Sequence, residues 1–114
     1  MKVKENALKY FKLFEEGNDV GLSEMYDEKV ELIDWFGKWT SKSEVLKMNR
    51  ELFKTAEISV TVKNIQVGMS PAGFPSDRVY CEIDIKVNDD VLKVMDVIDF
   101  NEEEKIIKIE AYKG

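Results

Sequence analysis

Apolar residues recur three or four positions apart in the first half of the chain, which predicts helices. The segment from about Val3 to Glu16 has this spacing and predicts an amphipathic helix, and Gly17 after it suits a left-handed cap. Val20–Tyr26 predicts a short second helix with Asp19 as its N-cap. Ser41-Lys42-Ser43-Glu44 matches a capping box and predicts the start of a third helix. The apolar positions of that third helix are Val45, Met48, Leu52 and Phe53.

The remaining segments alternate between apolar and polar residues, which predicts β-strands. These strands are Val30–Phe36, Ile58–Met69, Val79–Val87, Val91–Phe100 and Lys105–Tyr112. The apolar phase slips between Lys63 and Asn64, which predicts a β-bulge. Ser70–Asp77 holds both prolines and predicts a loop, and Asn88-Asp89-Asp90 predicts a hairpin turn. The order of elements favours an α+β fold, with three helices packed on one face of a strongly curved, mostly antiparallel sheet around a concave interior.

Composition limits the classes of protein to consider. A chain of 114 residues suits one core, so we expect residues 1–114 to form a single domain. A net charge of -6 without a basic stripe argues against nucleic acid or an anionic membrane as a partner. Since the chain shows neither a signal peptide nor an apolar run of membrane-spanning length, we expect a cytoplasmic protein.

The cysteine and histidine content narrows the chemistry further. The one cysteine, Cys81, excludes an internal disulfide and a cysteine-cluster zinc site, and its place on an apolar strand face predicts a buried, inert thiol. The chain has no histidine, which excludes Ser-His-Asp and Cys-His mechanisms and histidine metal sites. We therefore expect no metal and no cofactor. Acid–base chemistry must use carboxylates, tyrosine or lysine.

Two aspartates interrupt apolar strand faces. Asp96 shares a predicted face with Leu92, Val94, Ile98 and Phe100. In the same way, Asp34 shares one with Val30, Leu32 and Phe36. A carboxylate in such surroundings must be neutralised, paired or hydrogen-bonded. The two faces together predict a mostly apolar pocket that contains acidic groups, and there desolvation and the second charge would raise the pKa of Asp96.

Each candidate residue also has a purely structural interpretation. Asp96 could be an acceptor tied to backbone amides or to a tyrosine hydroxyl. Asp34 lies near a strand end, where aspartate commonly closes a turn. Tyr10 belongs to the apolar stripe of the first helix and could simply be part of the core. The sequence leaves these alternatives open.

Three segments, with the order of elements, resemble the nuclear transport factor 2-like superfamily and its SnoaL-like and ketosteroid-isomerase branch. The segments are Ala7-Leu8-Lys9-Tyr10-Phe11 with Gly17-Asn18, Val30-Glu31-Leu32-Ile33-Asp34, and Asp96-Val97-Ile98-Asp99-Phe100. The resemblance implies a cone-like fold with an internal pocket. It also implies catalytic roles for Tyr10 as a hydrogen-bond donor, for Asp34 as general base and for Asp96 as a protonated second donor.

The chain departs from the isomerases immediately after the implied base. A proline follows the base there, whereas Trp35 and Phe36 follow Asp34 here, with Trp39 nearby. These bulky residues would narrow or reshape the mouth of the pocket. A ligand smaller than a steroid is therefore expected.

The resemblance and the residues together predict a pocket for a small hydrophobic molecule with a polar group. As an enzyme, the protein would be a cofactor-independent isomerase or a polyketide-cyclase-like relative in which a carboxylate moves a proton on a small carbonyl compound. The alternative is a non-catalytic ligand-binding or dimeric interaction module of the same fold. Ile33, Trp35, Met95 and Val97 oppose the cavity side of their strands, which predicts a homodimer through the convex sheet face.

Overall fold

A computed structural model describes residues 2–69 and 75–114. In these residues the chain forms three helices and six strands. They are α1 (Val3–Glu16), α2 (Asp19–Met25), β1 (Tyr26–Ile33), β2 (Lys38–Thr40), α3 (Lys42–Thr55), β3 (Ile58–Met69), β4 (Pro75–Val87), β5 (Asp90–Phe100) and β6 (Ile106–Lys113). None of the helices in these described residues is long and apolar enough to cross a membrane.

The strands form one curved, mixed sheet that does not close on itself. Their order across the sheet is β2-β1-β6-β5-β4-β3. Only the β1–β6 pair is parallel, and the other four pairs are antiparallel. The predicted α+β fold is therefore confirmed. The apolar core lies between the helices and the concave face of the sheet.

The helix ends follow the predicted signals, with one correction. Gly17 adopts a left-handed conformation, with φ of 66°, and ends α1 as expected. The N-cap of α2 is Asn18 rather than Asp19, because the Asn18 side chain accepts a hydrogen bond from the backbone of Gly21. The carboxylate of Asp19 instead pairs with Arg50 on α3, at 2.7 Å. Ser41 caps α3 as predicted.

The first predicted strand is too long at its C-terminal end. β1 ends at Ile33, and the backbone turns through Trp35 and Phe36 into β2. Phe36, expected on the inner face, is 81% exposed. The cause is Asp34, whose side chain accepts hydrogen bonds from two backbone N–H groups of the turn. β2 was not predicted, because three residues are too few to show an alternating pattern.

The central strands agree more closely with the sequence pattern. The register slips between Val62 and Asn64, which confirms the predicted bulge. The hairpin turn is also confirmed, with Val87 paired to Asp90. Only part of the predicted loop 70–77 can be compared with the structure, because residues 70–74 lie outside the described residues. Residues 75–77 belong to β4, which begins at Pro75, a position where a strand tolerates proline.

Candidate functional site

The carboxyl group of Asp96 lies in the middle of the apolar core. Its neighbours on the inner face of β5, Val94 and Ile98, are buried, and Asp96 itself is only 6% exposed. In the described part of the chain, no hydrogen-bond donor and no cation contacts its carboxyl oxygens. Burial, and then the nearby charge of Asp34, raise the pKa of Asp96 to about 7. This carboxyl group can therefore stay protonated close to neutral pH.

The sheet register places Asp96 and Asp34 in one line across the strands. Asp96 pairs with Cys81 on one side and with Ala111 on the other. The last β1–β6 pair is Ile33 with Glu110, and Asp34 and Ala111 are the next residues along these two segments. The Asp34 backbone N–H in turn binds the carbonyl of Gly37. We call this set of residues the transverse row. It runs from Gly37 through Asp34, Ala111, Asp96 and Cys81 to Ile65 on β3.

Asp34 combines a turn role with a free oxygen. Its Oδ1 accepts hydrogen bonds from the backbone N–H groups of Phe36, at 2.7 Å, and Gly37, at 3.2 Å. Its Oδ2 has no hydrogen-bond partner within residues 2–69 and 75–114. The structural alternative that the sequence left open for Asp34 is thus realised. The turn uses Oδ1 of Asp34, and Oδ2 remains available.

Tyr10 reaches the core from the middle of α1. Its ring packs against Phe11 and Phe14, with centroids 5.3 and 6.0 Å away, and lies 6.4 Å from the ring of Tyr26. Burial, followed by the charges of Tyr26 and Asp96, raises the pKa of Tyr10 well above its ordinary value. The hydroxyl group therefore keeps its proton and can act only as a neutral hydrogen-bond donor or acceptor.

Tyr26 and Asn49 complete this buried polar group, and the sequence analysis missed both. Nδ2 of Asn49 donates a hydrogen bond to the Tyr26 hydroxyl at 2.7 Å, while Oδ1 of Asn49 is buried without a partner. Burial raises the pKa of Tyr26 to about 12, although hydrogen bonds with Asn49 and Tyr10 act in the opposite direction. The available signal was the position of Asn49 four residues after the buried Val45, which places a polar residue on the inward face of α3.

Cys81 lies beside Asp96 but is not equipped for nucleophilic chemistry. It is fully buried, and burial followed by the charge of Asp96 raises the pKa of its thiol to about 12. A thiolate is the nucleophilic form of cysteine, and this environment disfavours it. The predicted buried thiol agrees with this geometry.

The fold places the three predicted residues, Tyr10, Asp34 and Asp96, on one side of the sheet. Asp34 and Tyr10 each interact electrostatically with Asp96, and Tyr10 also contacts Tyr26. The group offers a carboxyl group on Asp96 that can be protonated, a neutral hydroxyl on Tyr10 that also hydrogen-bonds with Tyr26, and one open carboxylate oxygen on Asp34. Hydrogen-bond donors and a carboxylate are the kinds of group that can move a proton on a carbonyl compound.

Other parts of the described surface offer less chemistry. Among the described residues, no three acidic or cysteine side chains are arranged to hold a metal ion. A depression of about 360 Å³ lies at the C-terminal ends of α1 and α3, beside Gly17, Phe53 and three glutamates. It contains none of the predicted site residues. One of its glutamates, Glu15, is already bonded to Ser59 and to the Val60 backbone.

Comparison with solved structures identifies the architecture. A nuclear transport factor 2-like protein of unknown function from Cytophaga hutchinsonii matches with a TM-score of 0.83 at 10% sequence identity, covering 100% of this chain and 91% of that one. The chain has the nuclear transport factor 2-like fold. No protein-family model matches the sequence. No curated protein is significantly similar to it.

Two further structural neighbours carry enzyme names. A candidate ketosteroid isomerase from Kribbella flavida matches with a TM-score of 0.80 at 12% identity, covering 98% of this chain and 77% of that one. A candidate polyketide cyclase from Sinorhizobium meliloti matches with the same TM-score of 0.80 at 12% identity, covering 94% of this chain and 93% of that one. At these identities the likeness shows the nuclear transport factor 2-like fold, and activity must be argued from the site.

Proposed function

We propose that the protein binds a small, mostly apolar carbonyl compound on the concave face of the sheet and moves a proton on it. One observation carries this proposal. Asp96 is a buried carboxyl group without a hydrogen-bond partner in the described residues, beside a second carboxylate on the same row. Polar groups in apolar surroundings are usually hydrogen-bonded, so the retention of this unpaired carboxyl group favours a role toward a ligand.

The proton transfer needs only side chains of this chain. The carbonyl oxygen of the ligand accepts hydrogen bonds from the protonated Asp96 and from Tyr10. Oδ2 of Asp34 removes a proton from the carbon next to the carbonyl group, and the electrons of that C–H bond form an enolate. The two donors stabilise the negative oxygen of the enolate. Asp34 then returns the proton to another carbon of the conjugated system, which gives an isomer of the starting compound.

The comparisons support this class of reaction. Two structural neighbours carry the names of a candidate ketosteroid isomerase and a candidate polyketide cyclase. The chain supplies tyrosine and aspartate at the three positions that the resemblance to the isomerases requires: Tyr10, Asp34 and Asp96.

A second candidate function is ligand binding without catalysis. It is favoured by the two backbone hydrogen bonds to Oδ1 of Asp34, which tie this carboxylate to the β1–β2 turn. In this alternative Asp96 and Tyr10 orient the polar end of a ligand, and Asp34 only shapes the turn beside it.

The test uses 3-cyclohexen-1-one, a one-ring ketone whose isomerisation gives a conjugated product that is detected by ultraviolet absorbance. We expect turnover by the wild type, none by Asp34→Asn, and unchanged turnover by Asp89→Asn, which makes the same change in an exposed turn. Phenol, whose oxygen lies on an sp² carbon as in an enol, serves as the binding probe in calorimetry. Binding without turnover would favour the non-catalytic candidate, and absence of both would contradict the proposal.

We also propose a homodimer through the convex face of the sheet. The large side chains there include Tyr80, Met95 and Tyr112, which are 40%, 38% and 56% exposed. Val97 pairs with Tyr80 on β4 and lies two residues from Met95 on the same face of β5. Contiguous exposed apolar side chains are typical of protein interfaces. The polar rim includes the ion pair of Arg78 with Asp99 at 2.6 Å, which would remain at the edge of the contact.

A further inference from the structure

The transverse row differs from one neighbouring row in the size of its side chains. On the next row of the concave face, the residues from β1, β6, β5 and β4 are all large and apolar. They are Leu32, Ile109, Ile98 and Val79. In the transverse row the corresponding strands contribute two aspartates, a cysteine and an alanine. The small side chains of this row therefore leave a groove on the concave face that crosses the strands, and Ala111 lies in it between the two acids.

The exposure of Ala111 agrees with an open space at this position. Ala111 is only partly buried, although it lies on an inner strand and packs against the core. Ile109 and Ile98, which face the same way one step along the strands, are 1% and 0% exposed. A small side chain in a covered interior would be as inaccessible as these neighbours. The partial exposure of Ala111 agrees with room for a ligand beside its methyl group.

A small-residue line alone does not make a binding site, but a second observation points to a ligand. Asp96 is adjacent to Ala111 in the register, is 6% exposed, and has no hydrogen-bond partner in the part of the chain that the structure describes. A ligand that lies against the small Ala111 side chain could place an oxygen atom within hydrogen-bond distance of the unpaired Asp96 carboxyl group.

We propose that Ala111 is the specificity-determining residue of this site and limits the ligand to a compound of one ring. The inference rests on the proposed function, because it takes the space between Asp34 and Asp96 as the place of the ligand. Asp34 and Asp96 lie two strand spacings apart, which is about 10 Å between their backbones. Their side chains occupy part of this distance. A single ring lying on the Ala111 methyl group at a van der Waals distance of about 3.5–4 Å fits the remainder.

The experiment measures binding of phenol, with one ring, and 2-naphthol, with two, by calorimetry. We expect the wild type to bind phenol more tightly than 2-naphthol. Ala111→Val should weaken phenol binding at least about tenfold, because the added methyl groups occupy the ligand volume. Ala111→Gly should shift the ratio of the two affinities toward 2-naphthol by about tenfold, because the loss of the methyl group leaves more space for the ligand. Ala56→Val, the same change at a partly buried alanine outside the row, should leave both affinities unchanged.

Each outcome decides between the claims. Equal phenol binding by wild type and a folded Ala111→Val variant would overturn the role of Ala111 while leaving the proposed function standing. If Ala111→Val fails to fold, an unchanged ring preference in Ala111→Gly overturns it instead. A wild type that binds neither probe overturns both claims.

Discussion

The carboxyl group of Asp34 lies close enough to that of Asp96 for its charge to raise the pKa of the second acid. The two residues belong to strands that are not neighbours, since β6 runs between β1 and β5. Ala111 of β6 pairs with Asp96 and lies one residue beyond the last β1–β6 pair, on the side of Asp34. The acids are thus held near each other without a shared cation or a shared hydrogen bond in the described residues. Their repulsion and the burial of Asp96 act in the same direction, toward a neutral Asp96.

Asp96 should make folding less favourable as pH rises. Its pKa is about 7 in the folded protein against 3.8 for an ordinary aspartate, so the folded protein holds this proton more tightly than the unfolded chain. The contribution of Asp96 to stability is therefore highest below the unfolded pKa and falls as the pH rises from about 4 to about 7. Asp96→Asn, which cannot ionise, should gain stability relative to wild type over this range, by at most about 4 kcal/mol.

Urea denaturation at several pH values measures this difference. The matched control is Asp89→Asn, because Asp89 is an exposed aspartate in a turn and a surface substitution of this kind changes stability little. A constant stability difference between wild type and Asp96→Asn from about pH 4 to about pH 8 would show that Asp96 ionises normally.

Asp34→Asn should separate the turn role of Asp34 from its proposed chemical role. The amide oxygen of asparagine can accept the same hydrogen bonds from Phe36 and Gly37, so folding and phenol binding should be retained. Turnover of 3-cyclohexen-1-one should be lost, because an amide cannot take up the proton. Asp34→Ala should in addition lose about 1 kcal/mol of stability, as the turn loses its acceptor. Full turnover by Asp34→Asn would assign the base to another residue.

The Asn49–Tyr26 pair should show strong coupling in stability. Tyr26→Phe leaves the Asn49 amide buried without a partner and should cost about 2–3 kcal/mol. Asn49→Leu removes an amide whose Oδ1 is already unpaired, so it should cost less. Adding Asn49→Leu to Tyr26→Phe should recover about 1–2 kcal/mol. Additive effects in thermal denaturation would mean that the 2.7 Å hydrogen bond does not contribute to stability.

The convex face gives a prediction about assembly. Met95→Lys places a charge at the centre of the exposed apolar side chains and should convert a dimer to a monomer in light scattering at about 50 µM. Val20→Lys makes a comparable change on α2, away from the sheet, and should leave the dimer intact. A monomeric wild type at that concentration would contradict the dimer.

Strand alternation and helical spacing predicted most of the fold, because inward apolar residues such as Val79, Val94 and Ile98 lie at alternate positions of long strands. The β2 strand is too short to show an alternation of apolar and polar residues. The end of β1 was mispredicted because the side chain of Asp34, rather than the apolar Phe36, decides where the chain turns.

The candidate site was predictable only where a polar residue breaks an apolar pattern. Asp96 broke such a pattern on β5, and Asn49 broke a weaker one on α3. The position of Ala111 between two acids could not be predicted from the sequence. It depends on the register between β5 and β6 and on the parallel pairing of β1 with β6, which bring together residues far apart in the chain.

In the proposed function Asp96 is a protonated donor that meets a ligand oxygen, and the ionisation of its carboxyl group tests this role most directly. Protein labelled with ¹³C at aspartate carboxyl groups allows each group to be titrated by NMR, with Asp96 assigned from the Asp96→Asn variant. We predict a midpoint for Asp96 near 7 that moves upward when phenol is bound, since the ligand accepts a hydrogen bond from the protonated form. An Asp96 resonance that titrates near 3.8, or whose midpoint does not change with phenol, would contradict the account.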